Sequence, residues 1–150
     1  TGTAAFASMG LTTQISSSIL VGVNKYRRPI IRNGVKVSFL LQRNTITSGN
    51  IPLLRILDSL RLIREIPAAS PDECLMNISK AIEVLSRNEK QELAELSLEY
   101  TPYVRALLGA MYENLGIETD IVSGSLNGVT SYKLPISEKV LPNKRNWNII

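Results

Sequence analysis

The apolar residues of this chain change period at Ser48-Gly49-Asn50, and that change limits the possible folds more than any other feature. Before it they recur at every second residue, and after it at every third or fourth, so strand spacing gives way to helical spacing. Ile15, Ser17, Ile19, Val21 and Val23 alternate with Ser16, Ser18, Leu20 and Gly22. Val35, Val37, Phe39 and Leu41 alternate in the same way with Lys36, Ser38, Leu40 and Gln42. Between the two runs lies Asn33-Gly34, whose residues both tolerate the positive φ of a type I′ turn. The spacing predicts a three-stranded antiparallel meander.

Beyond the break, Pro52 falls in a first helical turn and Leu53, Ile56, Leu57, Leu60 and Ile63 form an apolar stripe, with Pro67 as the stop. Ser70-Pro71-Asp72-Glu73 carries the signature of a capping box and predicts a helix from Pro71 through Leu75, Ile78, Ile82 and Leu85. Asn88 with Gln91 offers a weaker cap for an acidic helix through Leu93, Leu96 and Tyr100. Thr101-Pro102 restarts the pattern, and Val104, Leu107, Leu108, Met111 and Leu115 mark a core helix ending at Gly116. Ala106, Gly109 and Ala110 give that helix a small-residue side that another backbone can approach. Extended segments then return at Ile117 to Val122 and Val129 to Ile136, joined through Asn127-Gly128, which predicts a second hairpin.

Together these patterns predict an α+β chain: an N-terminal antiparallel β-meander packed on three or four helices, with a C-terminal β-hairpin. Residues 1–14 read as a flexible N-terminal arm, residues 15–150 as a single domain, and the part from about 137 as an irregular tail that docks through Trp147. The chain starts at Thr1 and not at Met, which suits a piece of something longer.

Two Phe and one Trp in 150 residues leave the core mainly aliphatic. The chain has no histidine, which removes Ser-His-Asp and Cys-His mechanisms and imidazole metal ligation. Its one cysteine, Cys74, has no second cysteine to bridge to. No GxxxxGK[ST] or GxGxxG phosphate motif occurs. No apolar run approaches the roughly 20 residues that cross a bilayer. These features predict an intracellular, soluble chain, cytoplasmic or nuclear, without a cofactor, metal, membrane association or small-molecule substrate.

Charge is unevenly laid out. Residues 1–64 hold nine Lys/Arg and one acid, a formal +8, while residues 65–120 sum to −7 and residues 121–150 to +3. No acidic residue precedes Asp58, so the N-terminal cations lack local counter-charge and attract anions. A two-residue turn at Asn33-Gly34 sets Arg32 opposite Val35, Lys36 opposite Ile31, Ser38 opposite Pro29, Leu40 opposite Arg27 and Gln42 opposite Lys25. One side of the sheet then carries Lys25, Arg27 and Lys36 with Ser38 and Gln42. The other carries Tyr26, Ile30, Val37, Phe39 and Leu41, suited to packing on helices, with Arg28, Arg32 and Arg43 reaching outward near the strand ends.

A basic face of this kind lies along a phosphate backbone without reading sequence. It also fits an ordinary solvated surface. The expected function is a non-enzymatic, homo-oligomeric nucleic-acid-binding assembly protein, directed at RNA or single strands, with Lys25, Arg27, Arg28, Arg32, Lys36 and Arg43 as the binding residues. The alternative is an interaction or structural subunit whose basic hairpin docks on acidic helices, bearing Glu83, Glu89, Glu92, Glu95 and Glu99, of itself or a partner.

Other constellations weigh less. Glu73 is better explained as a cap partner than as a catalytic acid beside Asp72, and Glu118 with Asp120 lacks companion ligands. Cys74 lies in a first helical turn, where the dipole lowers a thiol pKa, yet without a His partner it reads as a buried structural Cys. Asn77-Ile78-Ser79 matches a glycosylation sequon inside a predicted helix and reads as chance.

Overall fold

A computed structural model of the chain describes residues 18–65 and 69–150. The expected arm and Pro67 lie outside these residues. The N-terminal part forms a three-stranded sheet from β1 (Ser18–Val23), β2 (Ile30–Arg32) and β3 (Val35–Leu41). The remainder is helical: α1 (Ile51–Arg61), α2 (Pro71–Glu83), α3 (Arg87–Ser97), α4 (Pro102–Asn114) and the short α5 (Asp120–Ser123), with 3-10 turns at Ile63–Glu65 and Lys144–Trp147.

The hairpin forms as its turn dictates. Asn33 and Gly34 adopt φ of 50° and 76°, as a type I′ turn requires. Arg32 pairs with Val35, Ile31 with Lys36 and Ile30 with Val37. The meander, however, does not form. Strand order is β1-β3-β2, and β1 runs parallel to β3, from Ser18 opposite Lys36 to Val23 opposite Leu41. The alternation that marks a strand fixes which residues share a face but says nothing of which neighbour it pairs with or in which direction. β2 is cut to three residues at Pro29, which has no N–H to donate to the ladder. Residues 24–29 therefore form a loop from one edge of the sheet to the other.

The C-terminal hairpin is absent as well. Gly116, at φ 73°, ends α4, and the segment expected as a strand turns into α5 behind Thr119. Asn127 Oδ1 accepts from the backbone N–H of Val129 (2.9 Å) and Thr130 (3.1 Å), an Asx turn that does not fold the chain back on itself. The following segment buries Leu134 and Ile136, as period-two spacing requires, but its partner is the C-terminal end of the chain. Tyr132 N–H donates to Asn148 O (2.8 Å), Ile150 N–H to Tyr132 O (2.8 Å) and Leu134 N–H to Ile150 O (3.0 Å).

The helices start where local chemistry places them. Ser70 Oγ accepts from Glu73 N–H at 3.2 Å, and Pro71 opens α2. α3 begins two residues earlier than expected: Ser86 and Glu89 form a reciprocal capping box in place of Asn88 and Gln91. A single aliphatic cluster joins these helices, with Leu57, Leu60, Ile78, Ile82, Leu93, Leu107 and Leu108 fully buried. Each such side chain contributes about 1.5–3 kcal/mol of transfer free energy.

The small-residue side of α4 receives a tryptophan ring and not a backbone. A Cβ at Gly109 would overlap Trp147 Cζ3, so glycine is what allows the indole to seat. The sheet, expected to be one wall of the core, is not. No described strand side chain is buried, and the helices enclose their own core.

Candidate nucleic-acid interface

The six expected cations are all exposed, but they do not share one sheet face. Lys25, Arg27 and Arg28 stand on the loop between β1 and β2. Arg32 ends β2 beside the turn, Lys36 is the second residue of β3, and Arg43 lies two residues past its end. Pairing places Lys36 on one face with Ile31, Ser38 and Leu40, and Arg32 on the opposite face with Val35 and Val37. The predicted pairs of Lys25 with Gln42, Arg27 with Leu40 and Pro29 with Ser38 do not form, because that edge of β3 passes beyond the end of β2. Lys25 and Arg43 thus gather at one end of the sheet, and Arg32 and Lys36 at the other, about 20 Å away along β3 at the rise of an extended strand.

None of these six forms an ion pair among the described residues, where the one salt bridge joins Arg145 to Glu138 at 3.6 Å. Their charge is left to act on solvent and on whatever approaches. Apolar side chains share the surface: Tyr26 is 73% and Ile31 75% exposed.

Gln42 is the residue whose role differs most from expectation. It is buried, not part of the outward face. Its Nε2 donates to Tyr100 Oη at 2.7 Å, and that hydroxyl donates to Asp58 Oδ1 at 2.6 Å. Gln42 Oε1 accepts from Asn44 N–H (3.1 Å), and Asn44 Nδ2 donates to Leu96 O (2.9 Å). Asn24 Nδ2 donates to the carbonyls of Gln42 (2.8 Å) and Asn44 (2.7 Å), which pins the loop to the end of β3. A polar network therefore joins the foot of the sheet to α1, α3 and the residue preceding the cap of α4. Burial pushes the Asp58 carboxyl above the usual carboxylate range, and the Tyr100 hydrogen bond and Arg61 charge oppose that only in part. Burial, and then the Asp58 charge, push the Tyr100 phenol upward. No local sequence signal marks this network, since its members are joined across as many as 58 positions.

The candidates set aside in the sequence are also placed. Asp72 Oδ1 accepts from Ser137 N–H at 2.8 Å, a structural tie to the C-terminal segment. Cys74 is buried, and desolvation followed by the Glu73 charge raises its thiol pKa, which outweighs any helix-end effect. Glu118 and Asp120 face a cleft shared with Arg87 and Lys90. No cluster of three or more metal-ligating side chains occurs among the described residues. No helix among them is long and apolar enough to cross a membrane.

Comparison with known proteins yields no matching family model, no matching curated protein and no matching solved structure.

Proposed function

We propose that this chain is a non-enzymatic nucleic-acid-binding assembly protein that holds RNA or another single strand by its phosphate backbone. Lys25, Arg27, Arg28, Arg32, Lys36 and Arg43 supply the phosphate contacts. The observation that carries this reading is the exposure of all six cations without an ion-pair partner among the described residues, in a chain with no acid before Asp58. Backbone contacts are favoured over base reading, because stacking on single-stranded bases needs aromatic platforms and, among the described residues, Tyr26 is the one exposed aromatic near these cations.

Fluorescence anisotropy with a labelled single-stranded RNA across a salt series tests it. Six phosphate contacts predict a log–log slope of about −4. The double variant Arg27→Glu/Lys36→Glu is expected to lose most of the affinity. Binding that ignores salt, or that survives the charge reversal, overturns the reading.

The exposed Ile31, Val21 and Leu41 favour a second reading, in which the sheet docks on acidic surface of another copy or a partner. Glu89, Glu92 and Glu95 of α3 and Glu99 just beyond it are exposed and offer such a surface. Light scattering in low and high salt, with and without nuclease, separates the two. A nuclease-resistant, salt-sensitive oligomer free of 260 nm absorbance supports docking; an assembly dispersed by nuclease supports the first reading.

A further inference from the structure

At the foot of the sheet a cleft of about 420 Å³ opens between the end of β3, the last turn of α1 and the start of α4. Its walls include three guanidinium groups, Arg43, Arg61 and Arg105, which the sequence holds up to 62 positions apart, and one carboxylate, Glu99. None of the three arginines is ion-paired among the described residues. Asp58 sits behind Tyr100, outside the cleft, and offsets part of the Arg61 charge. Cations still outnumber carboxylates three to two.

Two of the arginines contact neutral groups. Arg105 Nε donates to Tyr100 O (3.2 Å) and its Nη1 to Ser125 O (2.8 Å), so the fork is fixed while its charge stays uncompensated. Arg61 Nη1 lies 3.5 Å from Leu41 O. Thr101 and Pro102 place the start of α4 on the wall, and Thr101 makes no side-chain cap bond, so the positive helix end adds to the field. A planar guanidinium matches a phosphate with two parallel donors where a point charge does not.

We infer that this cleft anchors one phosphodiester of the bound strand, gripped by Arg43, Arg61 and Arg105. The inference rests on the nucleic-acid reading and refines it: the exposed cations of the loop and hairpin draw the strand in, and the cleft fixes its register. Arg43 belongs to both surfaces. The volume lies within the range of small-ligand clefts and exceeds a lone phosphate, and Leu41, Leu98 and Pro102 line it with apolar surface suited to the attached sugar.

The test measures single-stranded RNA binding across salt for the full chain and for Arg61→Gln, Arg105→Gln and Arg105→Lys, with Lys80→Gln, an exposed cation on α2, as control. Circular dichroism melts establish that each variant folds; should Arg105→Gln fail to fold, Arg61→Gln and Arg43→Gln carry the test. Arg61→Gln is expected to weaken binding about tenfold and to flatten the log–log slope by about 0.7. Arg105→Lys, which keeps the charge and loses the fork, is expected to lose affinity with little change of slope. In parallel, inorganic phosphate is titrated while amide resonances of Thr101, Tyr103 and Val104 are followed.

Wild-type RNA binding with Arg61→Gln and Arg105→Lys indistinguishable from Lys80→Gln overturns the cleft and leaves the nucleic-acid reading standing. Phosphate-induced shifts at those amides without any RNA binding overturn the polynucleotide as the ligand and with it the reading above. Neither shifts nor RNA binding overturns both.

Discussion

The Tyr100 hydroxyl donates to Asp58 Oδ1 at 2.6 Å inside the protein, and both residues are buried. The same oxygen accepts from Gln42 Nε2 at 2.7 Å, so one phenol satisfies a carboxylate from α1 and an amide from the end of β3. Replacing it leaves two buried polar groups short of a partner. Tyr100→Phe removes both buried hydrogen bonds and is expected to cost about 2–4 kcal/mol, measured by urea denaturation. A cost under about 0.5 kcal/mol would show that the network contributes little.

Asp58 links stability to pH. Its folded pKa is raised, so between the unfolded and folded values the native state binds more protons, and stability falls as pH rises through that window. Above the folded pKa the penalty for a buried charge is fully present. Asp58→Asn keeps an acceptor for Tyr100 and removes the charge. The variant is expected to melt above the wild type at pH 7, with the difference shrinking as pH drops below the raised pKa. A difference that does not change with pH would contradict the assignment.

Gly109 and Trp147 are matched by shape. Gly109→Ala gains helix propensity, yet its Cβ would overlap the indole, and overpacking of this kind costs about 1–3 kcal/mol. Because Trp147 is the only tryptophan, its emission reports the displacement directly. A red shift and a lower melting temperature are expected in Gly109→Ala, and the loss of melting temperature should be smaller when Gly109→Ala is added to Trp147→Leu, where no indole remains to be displaced.

The sheet is expected to open without the helices. Its described side chains contribute nothing to the buried core, and low burial marks regions of low local stability. Amide hydrogen exchange should be faster in β2 and β3 than in α4 by orders of magnitude. Gly34→Ala, strained at φ 76°, should accelerate exchange in the sheet while leaving the melting of the helical core within a degree or two. Equal protection of strands and helices would mean the two unfold as one unit.

Local chemistry was legible in the sequence, and partner choice was not. Ser70 with Pro71, and Thr101 with Pro102, set helix starts from within a few residues, and both helices begin there. Asn33-Gly34 and Asn127-Gly128 are the same dipeptide with different outcomes. Asn33 takes positive φ along with its glycine, whereas at the second site only Gly128 does and the Asn side chain bonds to its own loop. The flanking segments decide, because a type I′ turn survives only if two strands are there to be joined. Gln42 looked like an outward residue by alternation, but alternation ends with β3, and Tyr100 and Asp58 draw it inward. The six cations were legible as exposed charge. Their distribution, and the meeting of Arg43 with Arg61 and Arg105, depend on packing between distant segments, which no periodicity encodes.

Trp147 seats on Gly109 of α4 and Ile149 is fully buried in the core, so the interior is sealed by residues synthesised some 35 positions after that helix ends. At translation speeds of about 5–20 residues per second, the four main helices spend roughly two to seven seconds without their closing segment. During that interval Gly109 presents a notch to the surroundings, and the nascent chain is a candidate client for chaperones until its indole arrives.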